Sequence, residues 1–290
     1  MISAKQVKEL RDLTGAGMLD CKKALEASDG NIEGAIAWLR EKGISKAAGK
    51  QERIAAEGLS TAVVDANKAV ILEVNTETDF VAKNPEFQIL VNDIAQAILV
   101  SDAKTIEEAN NLMINGVTVS DTLIAKTAKI GEKLSFRRVQ VLEANDEEII
   151  ANYIHMGGKI SVLIKAKGTN VEAAKDIAMH AAAMRPKYVN QNEIPADVVE
   201  HEKKVLTEQA MNEGKPEAIA NKMVEGRIKK YFSEICLLDQ AIVKDGDITV
   251  AQFALNSGIE VLSMVRFEVG EGLEKRQENF AEEVMAQVRC

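Results

Sequence analysis

The sequence predicts an α+β protein assembled from several small units, and three observations carry that reading. Apolar residues recur with helical spacing over the first 43 residues. Apolar, β-branched runs separated by short turn segments follow, which is the signature of hairpins. The order of strand pair, helix and closing strand then recurs further along, so two related α+β subdomains are expected. A chain of 290 residues accommodates one large or two to three small domains, each with its own core. The boundaries expected are 1–53 for a three-helix module and linker, 54–146 and 147–274 for the two core subdomains, and 275–290 for a C-terminal helical module. The second subdomain carries an insertion at about 187–238.

In the N-terminal module, Val7 and Leu10 give a first helix its apolar face, and Thr14-Gly15-Ala16-Gly17 ends it. Residues 18–27 form a second helix, and Ser28-Asp29-Gly30 turns the chain. Asn31 is placed to cap a third, in which Ile32, Ala35, Ile36 and Leu39 step by helical intervals, and Gly43 is placed to stop it. Residues 44–53, rich in Lys, Ala, Gly and Gln, read as a linker. Residues 59–65 and 69–75 are strands joined at Ala66-Asn67-Lys68. Asn84 then caps a helix over 85–99 with Pro85 at its first position. Residues 121–129 read as a further helical piece and 134–142 as a strand.

The second round has Tyr153-Ile154-His155 and residues 160–166 flanking a Gly157-Gly158 turn, a helix over 171–184, and a strand over 259–269. Within the insertion, residues 197–212 and 217–238 are helices joined by Glu213-Gly214-Lys215-Pro216. Val224, Ile228, Tyr231, Ile235 and Leu238 step by 4, 3, 4, 3, the seam of an antiparallel coiled-coil hairpin. That seam closes on itself, pairs with a second copy, or meets another partner. Residues 275–288 form a last helix with Phe280, Val284 and Val288 on one face.

Composition excludes several function classes. A net charge of -9 argues against nucleic-acid binding, which needs a surplus of cations to neutralise phosphate. Cys21, Cys236 and Cys290 are odd in number and widely scattered, so neither a disulfide framework nor a zinc site is expected. No signal-peptide pattern and no membrane-length apolar run is seen, and a cytoplasmic, soluble protein is expected. Aromatics are only 4%, so the cores must be aliphatic.

Candidate chemistry is sparse. Gly15-Ala16-Gly17 and Gly270-Glu271-Gly272 complete neither a dinucleotide nor a Walker motif, and Glu271 and Glu274 would repel phosphate. His155, His180 and His201 have no Ser, Asp or Cys partner at a telling spacing. His180 reads as a partly buried helix residue, and His155, beside its turn, as exposed to a partner. No cofactor, metal or catalytic residue is expected.

The most informative stretch is Asn75-Thr76-Glu77-Thr78-Asp79-Phe80-Val81-Ala82-Lys83. Thr78 can cap a short helix, and Asp79 suits its positive end. Phe80 either packs on the adjacent strand or is presented with Asp79 as an outward wedge. Thr78-Asp79-Phe80-Val81-Ala82 resembles the signature of the elongation factor Ts family. Further similarities are Thr14-Gly15-Ala16-Gly17-Met18, Asp20-Cys21-Lys22-Lys23-Ala24-Leu25, Ile130-Gly131-Glu132, Arg137-Arg138-Val139, Ile177-Ala178-Met179-His180, Lys222-Met223-Val224-Glu225-Gly226-Arg227 and Arg266-Phe267-Glu268-Val269-Gly270-Glu271-Gly272. The resemblance spans the chain.

That resemblance implies a guanine-nucleotide exchange factor for the translational GTPase elongation factor Tu, with no covalent chemistry of its own. It implies a ubiquitin-associated-like (UBA-like) N-terminal domain, two core subdomains, the coiled-coil hairpin and a short C-terminal module. By the same resemblance Met18, Leu19 and Lys22 lean on the GTPase, Asp79 and Phe80, within Thr78–Val81, insert near its nucleotide, and the hairpin bearing His155 and Gly157 adds contacts. A homodimer or a 2:2 complex with the GTPase is among the assemblies considered. The other reading is an adaptor that uses the N-terminal module without exchange activity.

Overall fold

The computed structural model describes residues 2–14, 16–213 and 217–274. The helix expected over 275–288, the Gly214-Lys215-Pro216 turn and Cys290 lie outside the described residues. The chain divides into two compact units, one of Met1–Ser60, Leu72–Val139 and the segment from Glu268 onward, the other of Thr61–Ile71 and Gln140–Phe267. The architecture is α+β, with eleven α-helices among the described residues and small sheets of two or three strands.

In the first unit α1 (Ala4–Thr14), α2 (Met18–Ala27) and α3 (Ile32–Ala48) close around Leu10, Cys21, Ala24, Leu25 and Ala35, with Trp38 and Leu39 packed beside them. The Asn31 side-chain oxygen accepts the Gly34 N–H at 2.9 Å, which is the expected cap. Strands β1 (Glu57–Asp65) and β2 (Lys68–Thr76) follow, of which Thr61–Ile71 counts to the second unit, then α4 (Asp79–Ala82) and α5 (Pro85–Leu99). Asn84 accepts the Glu86 N–H at 2.8 Å, and α5 buries Phe87, Leu90, Val91, Ile94 and Ile98 at helical spacing. Next come α6 (Ile106–Asn110), β3 (Met113–Ile114), β4 (Val117–Thr118), α7 (Val119–Ile130) and β5 (Ser135–Glu143), with a sheet in the order β1-β2-β5.

Gly43 does not end α3, and residues 44–48 are helix rather than linker. Gly43 is buried, and a methyl group on it would stand 3.5 Å from the Ala128 methyl of α7. The glycine therefore marks close packing of one helix on another. Arg40 Nη2 lies 2.5 Å from Asp121 Oδ2, and Lys50 Nζ donates to the Gly131 carbonyl at 2.7 Å. Contacts made to α7 prolong α3 past the point where local signals suggest a stop.

In the second unit β6 (Glu148–His155) and β7 (Ile160–Lys167) pair antiparallel from Glu148↔Lys167 to His155↔Ile160. Then come α8 (Val171–Met184), α9 (Ala196–Asn212), α10 (Glu217–Ile235), β8 (Ala241–Ile242), β9 (Asp245–Thr249), α11 (Val250–Asn256) and β10 (Glu260–Glu268). The sheet order is β6-β7-β10, and α8 lays Ala174, Ile177, Ala178 and Ala181 against Val162, Ile164 and Val261. The closing part of this order of elements occurs twice along the chain. Each round ends in a two-stranded ribbon, a threonine-capped helix and a closing strand. Thr118 accepts the Asp121 N–H at 3.0 Å, and Thr249 accepts the Gln252 N–H at 3.2 Å. The residues after them, Val119 and Val250, are both fully buried.

In the second round α9 and α10 are interposed between α8 and the ribbon. Leu206 packs with Val224 and Ile228, and Tyr231 and Phe232 flank them. Leu238 does not continue the seam, because α10 stops at Ile235 and a 3-10 turn, Leu237–Asp239, follows. Leu238 packs instead on the main core of the unit. The stop comes where the Lys187 and Tyr188 N–H groups both donate to the Ile235 carbonyl, at 2.8 and 3.1 Å, and Tyr188 bridges Cys236.

Candidate functional site

Strand β2 is buried from Ala69 to Thr76 and ends in a sharp corner. Thr78 is extended, and its Oγ1 accepts the Val81 N–H at 3.4 Å, so it caps α4 as expected. Asn84 opens α5 only two residues after α4 closes, which leaves α4 a single turn. Asp79 sits in that turn, where a carboxylate complements the exposed N–H groups, and its Oδ2 takes the Lys83 ammonium at 2.6 Å. Only Ala82 of α4 is buried. Phe80 is 82% exposed, so the alternative in which its ring packs on the adjacent strand is overturned.

An exposed apolar side chain is ordinary in itself. What distinguishes Phe80 is the order of the backbone beneath it. Glu132 Oε2 accepts from Thr76 Oγ1 at 2.8 Å and from the Thr78 N–H at 3.0 Å, while Oε1 accepts from Thr78 Oγ1 at 2.7 Å. In return Glu77 Oε1 accepts the Lys133 N–H at 2.6 Å, and Arg53 Nη1 lies 3.3 Å from the same oxygen. Glu77 and Glu132 were not among the expected site residues, although Glu132 lies in a segment that carries the family resemblance and Glu77 stands directly before another. Nothing local marks an acid as a clasp when the backbone N–H groups it holds stand more than 50 positions away.

The remaining expected residues fall in two places. On α2, Met18 and Leu19 are 60% and 66% exposed, while Cys21, Ala24 and Leu25 on the opposite face fill the helical core. Lys22 pairs loosely with Glu26 at 3.7 Å. In the second unit, His155 ends β6 and its Nδ1 lies 3.2 Å from the Tyr153 hydroxyl, with the two rings stacked 5.8 Å apart. Met156 and Gly157 both have positive φ, and Met156 is largely exposed. Thr78, Asp79, Phe80 and Val81 thus form one cluster, Met18, Leu19 and Lys22 a second on the same unit, and His155 with Gly157 a third on the other.

His180 is fully buried, not partly so. Its Nδ1 accepts the Val243 N–H at 3.1 Å, which leaves Nε2 to carry the proton and donate to Gln240 Oε1 at 2.9 Å. Burial pushes its pKa below the ordinary value, against the opposing pull of Gln240, so the ring is a neutral fixture of the core. Cys236 is also buried, and burial, with Asp239 and Glu193 nearby, pushes its thiol up to about 11, which makes it a poor nucleophile. Among the described residues no group of three or more His, Cys, Asp or Glu is arranged to hold a metal ion. Among them too, no helix is long and apolar enough to cross a membrane.

A family model described as elongation factor TS matches residues 77–271, about two thirds of the chain. The match begins at Glu77 of the clasp and takes in Phe80, Glu132 and the His155 hairpin, while Met18, Leu19 and Lys22 precede it. The chain belongs to the elongation factor Ts family, a family of translation elongation factors.

Proposed function

We propose that the protein is a guanine-nucleotide exchange factor for the translational GTPase elongation factor Tu, and that Phe80 is its wedge. The observation that carries this reading is a large aromatic ring left 82% exposed on a corner whose backbone is tied down by two carboxylates. An exchange factor binds the empty GTPase better than the loaded one, and reciprocity then weakens the nucleotide by the same factor. A thousandfold weakening takes about 4 kcal/mol, since each tenfold is roughly 1.4 kcal/mol. Burying one phenylalanine ring in the partner supplies about 1.5 to 3 kcal/mol, a fair share of that sum. Asp79 and Phe80 insert between helices near the nucleotide, so that GDP leaves and GTP enters.

The other surfaces hold the partner while the wedge acts. The three N-terminal helices, as a UBA-like module, offer Met18, Leu19 and Lys22, and the hairpin offers His155 and Gly157. Helices α9 and α10 act as a coiled-coil hairpin available to a second copy or another partner, and the protein works in the cytoplasm. The deciding measurement is stopped-flow release of fluorescent GDP from elongation factor Tu. Phe80→Ala slows catalysed release at least about tenfold, one wedge's worth of binding energy, with an unchanged circular dichroism spectrum. Equal release rates for a folded Phe80→Ala variant and the wild type sink the wedge. Exposed Met18 and Leu19 favour a second reading, an adaptor that binds through α2 without touching nucleotide. Binding of the GTPase with no acceleration of release is the outcome that selects it.

A further inference from the structure

Helix α4 has little of its own to hold its direction. It is a single turn of four residues, one of them buried, and one turn of helix is not stable by itself. Its orientation is set by what anchors Thr78: beyond the bonds it receives within the turn, from the Val81 and Ala82 N–H groups, its hydrogen bonds to distant chain go to Glu132. The Thr78 hydroxyl receives the Val81 N–H, and its own proton goes to Glu132 Oε1 at 2.7 Å. Glu132 Oε2 takes the Thr78 N–H and the hydroxyl of the fully buried Thr76. Three donors thus converge on one side chain, and an ionised carboxylate, with acceptor sites on both oxygens, can receive them all. An amide offers one accepting oxygen and turns a donor toward the others.

We infer that Glu132 is the positioning residue for Phe80, fixing the axis of α4 so that the ring resists being pushed back when it meets the GTPase. This rests on the exchange reading above. A stiff mount governs how much displacement the wedge produces once docked, whereas the first encounter depends on the exposed surfaces. Glu132 therefore acts on the maximal rate of GDP release and little on the concentration of factor needed to reach half of it.

The test measures GDP release from loaded elongation factor Tu against factor concentration for wild type, Phe80→Ala, Glu132→Ala, Glu132→Gln and the Phe80→Ala/Glu132→Ala double variant. Thermal midpoints are recorded alongside. Losing hydrogen bonds to a charged acceptor lowers the maximal rate about tenfold in Glu132→Ala, with the half-saturating concentration within about threefold of wild type and Glu132→Gln intermediate. The double variant is no slower than Phe80→Ala alone, while Glu132→Ala lowers the thermal midpoint equally in both backgrounds. A merely structural glutamate would slow release by the same factor whether or not Phe80 is present, and that result overturns the inference. So does a wild-type maximal rate in Glu132→Ala. If Glu132→Ala does not fold, Thr76→Val, which removes one of the three donors, is carried through the same cycle with the same criteria. Identical release by wild type and folded Phe80→Ala sinks the wedge and this inference with it, wild-type factor that binds the GTPase without accelerating release brings down the exchange reading, and the other outcomes decide the inference alone.

Discussion

The backbone N–H of Gly270 donates to Glu73 Oε1 at 2.9 Å across 197 positions of sequence, deep in the first unit. Glu73 is fully buried and its carboxylate is fully occupied. Asn75 Nδ2 donates to it at 2.8 Å, Arg138 Nε at 2.6 Å and Arg137 Nη1 at 3.1 Å. Arg137 also donates to the Glu271 carbonyl, and Arg138 to that of Glu268 at 2.9 Å. One buried acid thus ties the strand that leads to the Phe80 corner to β5 and to the chain after β10.

Removing that acid takes the buried carboxylate from two guanidinium groups, which keep their bonds to Glu268 and Glu271. Burial alone would raise the Glu73 pKa, but the Gly270 N–H, the Asn75 amide and Arg138 outweigh it and hold the carboxyl below its ordinary 4.5. A depressed folded pKa gives stability that is complete above the ordinary value and lost as pH falls through the folded one. Glu73→Ala is expected to cost about 3 kcal/mol at neutral pH, as for breaking a buried pair. Urea melts at neutral and acid pH check both statements. A smaller loss of stability on acidification in the variant than in the wild type is the expected result, and equal acid sensitivity refutes the assignment.

Two glycines make opposite predictions. A methyl group on Gly270 would lie 2.2 Å from the Ala56 carbonyl oxygen, at a φ of 75°, so backbone must move to admit it. Gly270→Ala should cost at least about 2 kcal/mol by strain alone. Gly43 is helical, and its added methyl would meet Ala128 at an ordinary contact distance. Gly43→Ala should stabilise by about 0.5 to 1 kcal/mol through reduced chain entropy. Chemical denaturation of both variants decides the pair, and a destabilised Gly43→Ala contradicts room for a methyl group beside Ala128.

The neutral tautomer of His180 makes the second unit sensitive to mild acid. Its pKa is lowered below 6.5, so stability is complete above that value and declines as pH falls. Protonating Nδ1 also strands the Val243 N–H. Thermal midpoints followed from about pH 7.5 to about 5.5, above most carboxylate titration, should fall in wild type and stay flatter in His180→Asn. An imidazole titrating at or above its ordinary value by NMR contradicts the prediction.

Leu19 tests the α2 surface without touching the core, since its side chain is mostly in solvent. Leu19→Glu should weaken association with elongation factor Tu about tenfold or more, the value of one buried leucine, and leave the thermal midpoint unchanged. Unaltered affinity by calorimetry removes α2 from the interface.

Where structure is dictated by neighbours in sequence, reading the chain worked closely. Asn31, Thr78 and Asn84 cap the helices assigned to them because a cap bond spans only two or three residues. It failed where a tertiary partner decides. Gly43 resembles a stop until α7 is seen beside it, and Leu238 continues a seam on paper that Tyr188 and Lys187 cut short in space. The pieces α6, β3–β4 and β8–β9 are too short for any period to show, although Thr105 and Glu108 form a capping box that announces α6. Phe80 and Asp79 were visible from the motif, whereas the clasp of Glu132 and Glu77 exists only once distant segments meet.

The pinched base of α9 and α10 has a consequence for ancestry. Chain that departs after Tyr188 returns at Cys236 to the point it left, held there by main-chain bonds and by the packing of Tyr188, Ile194, Ile235 and Cys236. The surrounding architecture senses only a closed doorway, and not how much polypeptide lies beyond it. Such a cassette can be shortened, extended or exchanged without renegotiating the core, which leaves its length free for evolution or an engineer to choose.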